Sequence, residues 1–308
     1  MLALLLALAA PDLAGPWRGV LDLANAQLRF ALSFDAAGGS LCNGPACDRF
    51  TAVIVRGDSV TLELADYAAT IAAVRRGDSL VGTYRNVGNR GPRSIPFRAS
   101  RGTWPATTVP AALEGRWDAL LHSDFGSSPR VVVFEPGPRG LQGTLIGNTG
   151  DYGRFWGEAT RDSFALQRFD GAYVYLLAGR IHGDTLRGTF HAGLRGQTPF
   201  TAVRSTGKPH LVPPEEFTKA DTAPYRFAFR DVEGRLVTSE DARFRGKVLL
   251  VDIFGTWCPA CHDAAPTLVD LHRTRRARGL EIVGVAFEVS GDSAVDGALL
   301  RRYRDKFG

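Results

Sequence analysis

The chain has 308 residues, 44% hydrophobic and 22% charged, a globular composition with room for two or three domains and not that of a disordered chain. Its formal charge of +5 is a mild excess, scattered except for Arg-Thr-Arg-Arg-Ala-Arg-Gly at 273–279, so a nucleic-acid partner is not expected. That run suits the last turn of a helix, where cations complement the dipole. Residues 1–10 predict an export signal: positions 2–10 are all Leu or Ala, and Ala7-Leu8-Ala9 has the small-x-small form of a cleavage site. The apolar run is too short to span a bilayer, and no later segment is long enough, so the mature chain is read as having no membrane span. An exported chain, in the periplasm or cell envelope, can keep disulfides. Of the four cysteines, Cys42 and Cys47 flank Asn-Gly-Pro-Ala, a tight turn. They are expected to form a static structural disulfide contributing about 2 kcal/mol in the chain-entropy model. A second redox pair or a metal half-site is the alternative.

Residues 15–205 contain an internal duplication. Gly-Pro-Trp-Arg-Gly-Val-Leu at 15–21 matches Gly-Arg-Trp-Asp-Ala-Leu-Leu at 115–121, and three further segments match in the same order, about 100 residues apart. The expected units are a first β repeat at 15–105 and a second at 113–205. Short β-branched and aromatic runs punctuated by Gly-Asp-Ser and Gly-Asp-Thr read as strands and turns. The fold class expected here is a duplicated all-β module, barrel or sandwich. The Arg-Gly-Asp-Ser at 56–59 is read as a hairpin turn and not as an adhesion tetrapeptide. Each copy opens with Gly-x-Trp and carries arginines in its last strand (Arg98 and Arg101; Arg204). These residues resemble the lipocalin-type calycin barrels, in which a first-strand Gly-x-Trp packs against a late Arg. The plainer reading, an interaction or spacer module, is preferred.

Residues 206–224 are polar and proline-rich, as a linker is. From 225 onward the pattern changes. Two short strands flank a Glu-Gly turn, residues 246–254 form an apolar run expected of a buried parallel strand, 259–279 read as a helix ending at Gly279, 280–288 as a second buried strand, and 292–307 as a second helix. This β-α-β-α order implies an α/β domain with a parallel sheet. Cys258-Pro259-Ala260-Cys261-His262 sits where the first strand passes into the first helix. A Cys-x-x-Cys-His run can also attach a c-type haem, but the only methionine is Met1 and no helical haem setting surrounds the other histidines. The strand–helix junction instead suits a redox dithiol. The helix N-terminus favours a thiolate at Cys258, and Cys261 lies one turn along. His262 is expected at the surface.

Residues 225–308, and in particular Gly-Lys-Val-Leu-Leu-Val-Asp-Ile-Phe-Gly-Thr-Trp-Cys-Pro-Ala-Cys at 246–261 with Pro266 beyond it, resemble the TlpA-like branch of the thioredoxin superfamily. These are exported thiol–disulfide oxidoreductases related to the AhpC/TSA redoxins. Peroxiredoxins place one peroxidatic cysteine in Pro-x-x-x-Thr-x-x-Cys; here Thr256 is too close to Cys258 and that proline is absent. The resemblance implies a thioredoxin-like domain framed by Trp257, Pro259, Ala260 and Pro266, exchanging disulfides with protein substrates and re-reduced by a thiol electron donor, with no organic cofactor and no metal. The chain departs from the family at Ala264, where a proton-transferring Glu is common, and at Asp252, where Asn is frequent. It also stops at Gly308, before the family's cis-proline loop, so an incomplete domain in a fragment of a longer reading frame is expected. With no Glu at 264, Asp252, expected to be desolvated in its apolar strand, is assigned as proton acceptor. The function expected is an exported protein disulfide reductase. The alternative is a ligand- or partner-binding β module carrying a passive redox domain; attachment of a c-type haem is the remote one.

Overall fold

The structure, a computed structural model, describes residues 13–88 and 91–308; the expected export signal at 1–10 lies outside them. The chain divides into two compact units. One runs to Leu64 and includes Ala69–Asn86 and Arg93–Thr218; the other comprises Ala65–Ala68, Val87–Pro92 and Lys219–Gly308.

The first unit is built from antiparallel strands. The first copy supplies β1 (Gly15–Asp22), β2 (Gln27–Asp35), β3 (Gly38–Asn43), β4 (Ala46–Arg49), β5 (Ala52–Arg56), β6 (Ser59–Leu64), β7 (Ala69–Arg76), β8 (Ser79–Gly88) and β9 (Gly91–Arg101). They form one sheet in the order β4-β3-β2-β1-β9-β8-β7-β6-β5. The second copy supplies β10 (Gly115–Ser123), β11 (Gly126–Gly137), β12 (Gly140–Gly147), β13 (Gly150–Ala159), β14 (Ser163–Phe169), β15 (Val174–His182), β16 (Thr185–Ala192) and β17 (Gly196–Arg204). These close into an eight-stranded barrel. Of the two architectures expected from sequence, the second copy is a barrel, while the first is a nine-stranded sheet with β4 and β5 as its edges.

The strands follow from alternation and turn chemistry. Along β2 the buried residues are Leu28, Phe30, Leu32 and Phe34, the period of a strand with one face on the core. Arg56 pairs with Ser59, Arg76 with Ser79 and His182 with Thr185 across two-residue loops. In each loop the first residue, Gly57, Gly77 or Gly183, has φ near +60°, which a II′ hairpin requires and glycine supplies without strain. The segment at 56–59 is thus the β5–β6 turn. The barrel interior is filled by Trp117, Phe134, Phe155, Phe164, Phe200 and the aliphatic residues among them.

The duplication extends to individual contacts. Trp17 Nε1 donates to Leu13 O at 2.8 Å and Trp117 Nε1 to Leu113 O at 2.9 Å. The Arg101 guanidinium lies 4.7 Å from the Trp17 ring centroid and that of Arg204 lies 4.3 Å from Trp117. Each arginine also ion-pairs with the aspartate of a Gly-Asp turn, Asp78 or Asp184. Arg98 takes no part in this clamp; it ion-pairs with Asp22.

The second unit holds a hairpin of β18 (Ala228–Arg230) and β19 (Leu236–Thr238), preceded in the chain by the single turn α1 (Pro214–Phe217), and then β20 (Val248–Phe254), α2 (Pro259–Arg275), β21 (Leu280–Ala286) and α3 (Ser293–Phe307). β20 and β21 are parallel from Val248↔Leu280 to Phe254↔Ala286, which makes a right-handed β-α-β crossover through α2 the expected hand. Gly279, at φ 92°, ends the helical stretch. Asp292 caps α3, accepting from Ala294 N and Val295 N. β20 and β21 pair only with each other, and Val248 and Ile253 are 70% and 68% exposed. Among the described residues no helix is long and apolar enough to cross a membrane.

Candidate redox site

The site forms where β20 ends. Cys258 is the N-cap of α2, with extended backbone (φ −104°, ψ 104°), and its sulfur accepts from Cys261 N at 3.4 Å. Pro259 follows at the first helical position, where a missing N–H costs nothing. One turn on, Cys261 Sγ donates to Cys258 Sγ at 2.6 Å, and neither sulfur is in a disulfide. Donating to Cys258, and being partly buried, hold the Cys261 thiol well above the ordinary thiol value; nearby Asp252 pushes in the same direction. The pair is therefore asymmetric, with Cys261 keeping its proton and sharing it with Cys258.

The loop before the pair is pinned from three sides. The Glu288 carboxylate accepts from Thr256 N and Thr256 Oγ1, both at 2.8 Å. Trp257 Nε1 donates to Phe287 O at 2.8 Å. His262 Nε2 meets Thr256 O at 2.8 Å. Gly255 lets this loop close: a Cβ there would stand 2.3 Å from Trp257 Nε1. Thr256, 1% exposed, stands out in the sequence only for its spacing from Cys258, and Glu288 does not stand out. They lie on opposite sides of α2 in the chain, and only the β20–β21 pairing brings them together.

His262 corrects an expectation. It is not at the surface but buried, against the rings of Tyr303 at 4.9 Å and Phe307 at 5.5 Å. Burial lowers its pKa and keeps the imidazole neutral, so Nε2–H donates to Thr256 O, while Nδ1 is buried without a partner. The reason is that α3 packs its aromatic residues onto the first turn of α2, which periodicity within α2 alone does not reveal. Tyr303 also donates from its hydroxyl to Cys261 O at 3.0 Å. Its phenol is pushed up to about 12, by burial first and then by Cys261 and Asp252, so it keeps its proton at neutral pH.

Asp252 lies on β20, half-buried and with no hydrogen bond among the described residues. It is not enclosed by its apolar strand, because it opens into a groove of ≈ 640 Å³ walled also by Phe254, Ala265, Val283 and Tyr303. Its charge bears on both Cys261 and Tyr303. Ala260, Asp263, Ala264 and Pro266 are exposed. Pro266, inside α2, leaves the carbonyl of residue 262 without its helical donor. Cys42 and Cys47 belong to the other unit; they face each other across β3 and β4 with sulfurs 2.05 Å apart.

Comparison with known proteins agrees with this geometry. Residues 220–294 match the AhpC/TSA family. Two proteins called Thiol-disulfide oxidoreductase ResA, from Bacillus thuringiensis subsp. konkukian and from Bacillus cereus, are each 30% identical over 59 residues, or 19% of this chain and 33% of theirs. The chain thus spans about a third of the length of these curated relatives. Among solved structures, a mutant of the vaccine antigen Transferrin Binding Protein B from Haemophilus parasuis Hp5 aligns with 61% of this chain and 44% of its own, at 12% identity. Its TM-score of 0.20 carries no argument about fold. The segment at 220–294, with its dithiol at the start of a helix between parallel strands, is a thioredoxin-like segment of TlpA-like type.

Proposed function

We propose that the chain is an exported thiol–disulfide oxidoreductase that reduces disulfides in protein substrates. The observation that supports it most directly is the contact between Cys261 Sγ and Cys258 Sγ at the N-terminus of α2. The Cys258 thiolate attacks one sulfur of a substrate disulfide, forming a mixed disulfide and releasing the other sulfur as a thiolate. Cys261 gives up its proton and attacks Cys258 Sγ, the substrate's second sulfur leaves, and a Cys258–Cys261 disulfide remains. Two electrons have passed to the substrate, and a thiol donor restores the pair. Asp252 is the proposed acceptor of the Cys261 proton, on the ground that its charge bears on that thiol and that no hydrogen bond occupies its carboxylate. Tyr303 keeps its proton and positions the Cys261 backbone. The Thr256–Glu288–His262 contacts hold the loop so that Cys258 meets substrate without rearrangement.

The test follows reduction of insulin disulfides by the full chain with a small dithiol as donor. Cys258→Ser should abolish turnover, and Cys261→Ser should accumulate a mixed disulfide visible by mass. Asp252→Asn should slow resolution by roughly tens-fold while leaving the first attack unchanged. Equal turnover by wild type and Cys258→Ser would sink the reading; unaltered resolution in Asp252→Asn would remove only Asp252 from it.

A further inference from the structure

The outer face of the nine-stranded sheet carries a charge arrangement that the fold does not need. Val20 of β1 pairs with Arg29 of β2 on one side and Arg98 of β9 on the other. Both arginines and Arg18, two residues along β1, therefore share one face, while Trp17 and Leu21 point to the core. Trp104, anchored by donating from Nε1 to Phe30 O at 2.7 Å, lies against Arg29 and Arg18, whose guanidinium carbons are 4.9 and 5.9 Å from its ring centroid. These four residues, with Gln27 and Ser100, line a concavity of ≈ 430 Å³ that has no carboxylate in its wall.

The three cations are not equally satisfied. Arg29 ion-pairs with Glu158 at 2.5 Å. Arg98 holds Asp22 through three contacts of 3.0, 3.1 and 3.3 Å. Among the described residues Arg18 meets no carboxylate: its Nη2 reaches Arg101 O at 3.4 Å, and its Nε is out of solvent with no acceptor. Arg18 thus brings to the wall of the concavity a positive charge that no carboxylate neutralises.

The second copy serves as an internal control. In the barrel, Leu120 stands where Val20 does, and pairs with Pro129 and Thr201. The place of Arg18 is taken by Asp118, next to Trp117 as Arg18 is next to Trp17, and the place of Trp104 by Gly207. The same strand arrangement forms with none of the four residues. We infer that Arg18, Arg29, Arg98 and Trp104 form a binding site for a small ligand bearing an oxyanion group, carboxylate or phosphate. Its oxygens pair with the arginine guanidinium groups where they border the concavity, planar recognition that suits a carboxylate or phosphate. This site stands apart from the proposed redox chemistry and does not depend on it.

Isothermal titration of the full chain with inorganic phosphate and, separately, with citrate, at constant ionic strength in chloride, tests the inference. Saturable one-to-one binding of at least one anion is expected; the preferred probe distinguishes a phosphate from a carboxylate ligand. Arg18→Met should weaken it by about tenfold or more, the size of a lost charge-assisted bond. Arg98→Gln should weaken it several-fold, and Arg116→Gln, on the barrel, should leave it unchanged. Should Arg18→Met not fold, Arg98→Gln, at a half-exposed side chain, decides. Absence of saturable binding for both anions, or binding that survives Arg98→Gln and Arg18→Met, overturns the site.

Discussion

The two β copies share their strand order, their tryptophan–arginine clamp and their turns, yet one closes and the other does not. The difference is confined to a single strand. β13 is continuous and pairs with β12 as far as Gly157 and with β14 from Trp156 onward, so one strand joins both neighbours. In the first copy the same stretch is broken. β4 pairs with β3, β5 pairs with β6, and the chain crosses between them at Phe50 and Thr51. Phe50 N donates to Gly39 O and Thr51 N to Glu63 O, while the Phe50 ring is buried and stacks 6.3 Å from Phe34. A break at two residues and a cross-linked hairpin stand where the barrel has one continuous strand. Closure of such a sheet is decided by whether one strand can serve two edges; the rest of the sequence can stay common to both forms.

Four experiments test whether the two copies are equivalent. The largest effect is expected from Trp17→Ala and Trp117→Ala. Each should cost roughly 3–5 kcal/mol in urea unfolding, because each removes a fully buried ring and leaves an arginine without its platform. A large loss in one copy and none in the other would show that the clamp is not a shared element. Next, replacing Cys42 and Cys47 together by Ala should cost about 2 kcal/mol. Amide exchange should then rise in β3 and β4 and stay constant in β10–β17, with insulin reduction unaffected. Lost turnover in that variant would give this hairpin a redox role.

Arg101→Lys and Arg204→Lys keep the charge but lose the planar stack on tryptophan, a change of about 1 kcal/mol each. Equal shifts in urea midpoint would support equivalence of the two clamps. The smallest effect concerns pH. The second copy buries His191, whose pKa is lowered by desolvation; the matching position in the first copy is Arg85. A folded-state pKa below the unfolded value near 6.5 means that the unfolded chain binds the proton more readily. The neutral histidine's contribution is therefore complete above about pH 6.5 and is lost as pH falls through the folded value. Exchange protection in β15–β17 should decline on acidification more than in β7–β9, and His191→Gln should remove the difference. His262 carries the same sign in the other unit, so the exchange must be read strand by strand.

Neighbouring residues encode the local features of this chain. The order of matched segments established a duplication. Gly-Asp pairs marked two-residue turns because only the glycine tolerates the positive φ there. An apolar run passing straight into Cys-Pro-Ala-Cys placed a dithiol at a helix start, since proline suits the first helical position and the N-cap faces free amides; the structure leaves that strand half-buried and not enclosed. Features made by contacts between distant residues emerge in the folded chain alone. His262 reads as an exposed residue within α2 and becomes buried because α3 lays Tyr303 and Phe307 over it. Thr256 and Glu288 meet because parallel pairing brings two strand ends side by side. Arg98 is remote in the chain from Arg18 and Arg29 and beside them in the sheet, and the break at Phe50 matters only when both edges look for one partner. In each case the deciding energy lies in burial and pairing across the fold, which local pattern cannot carry.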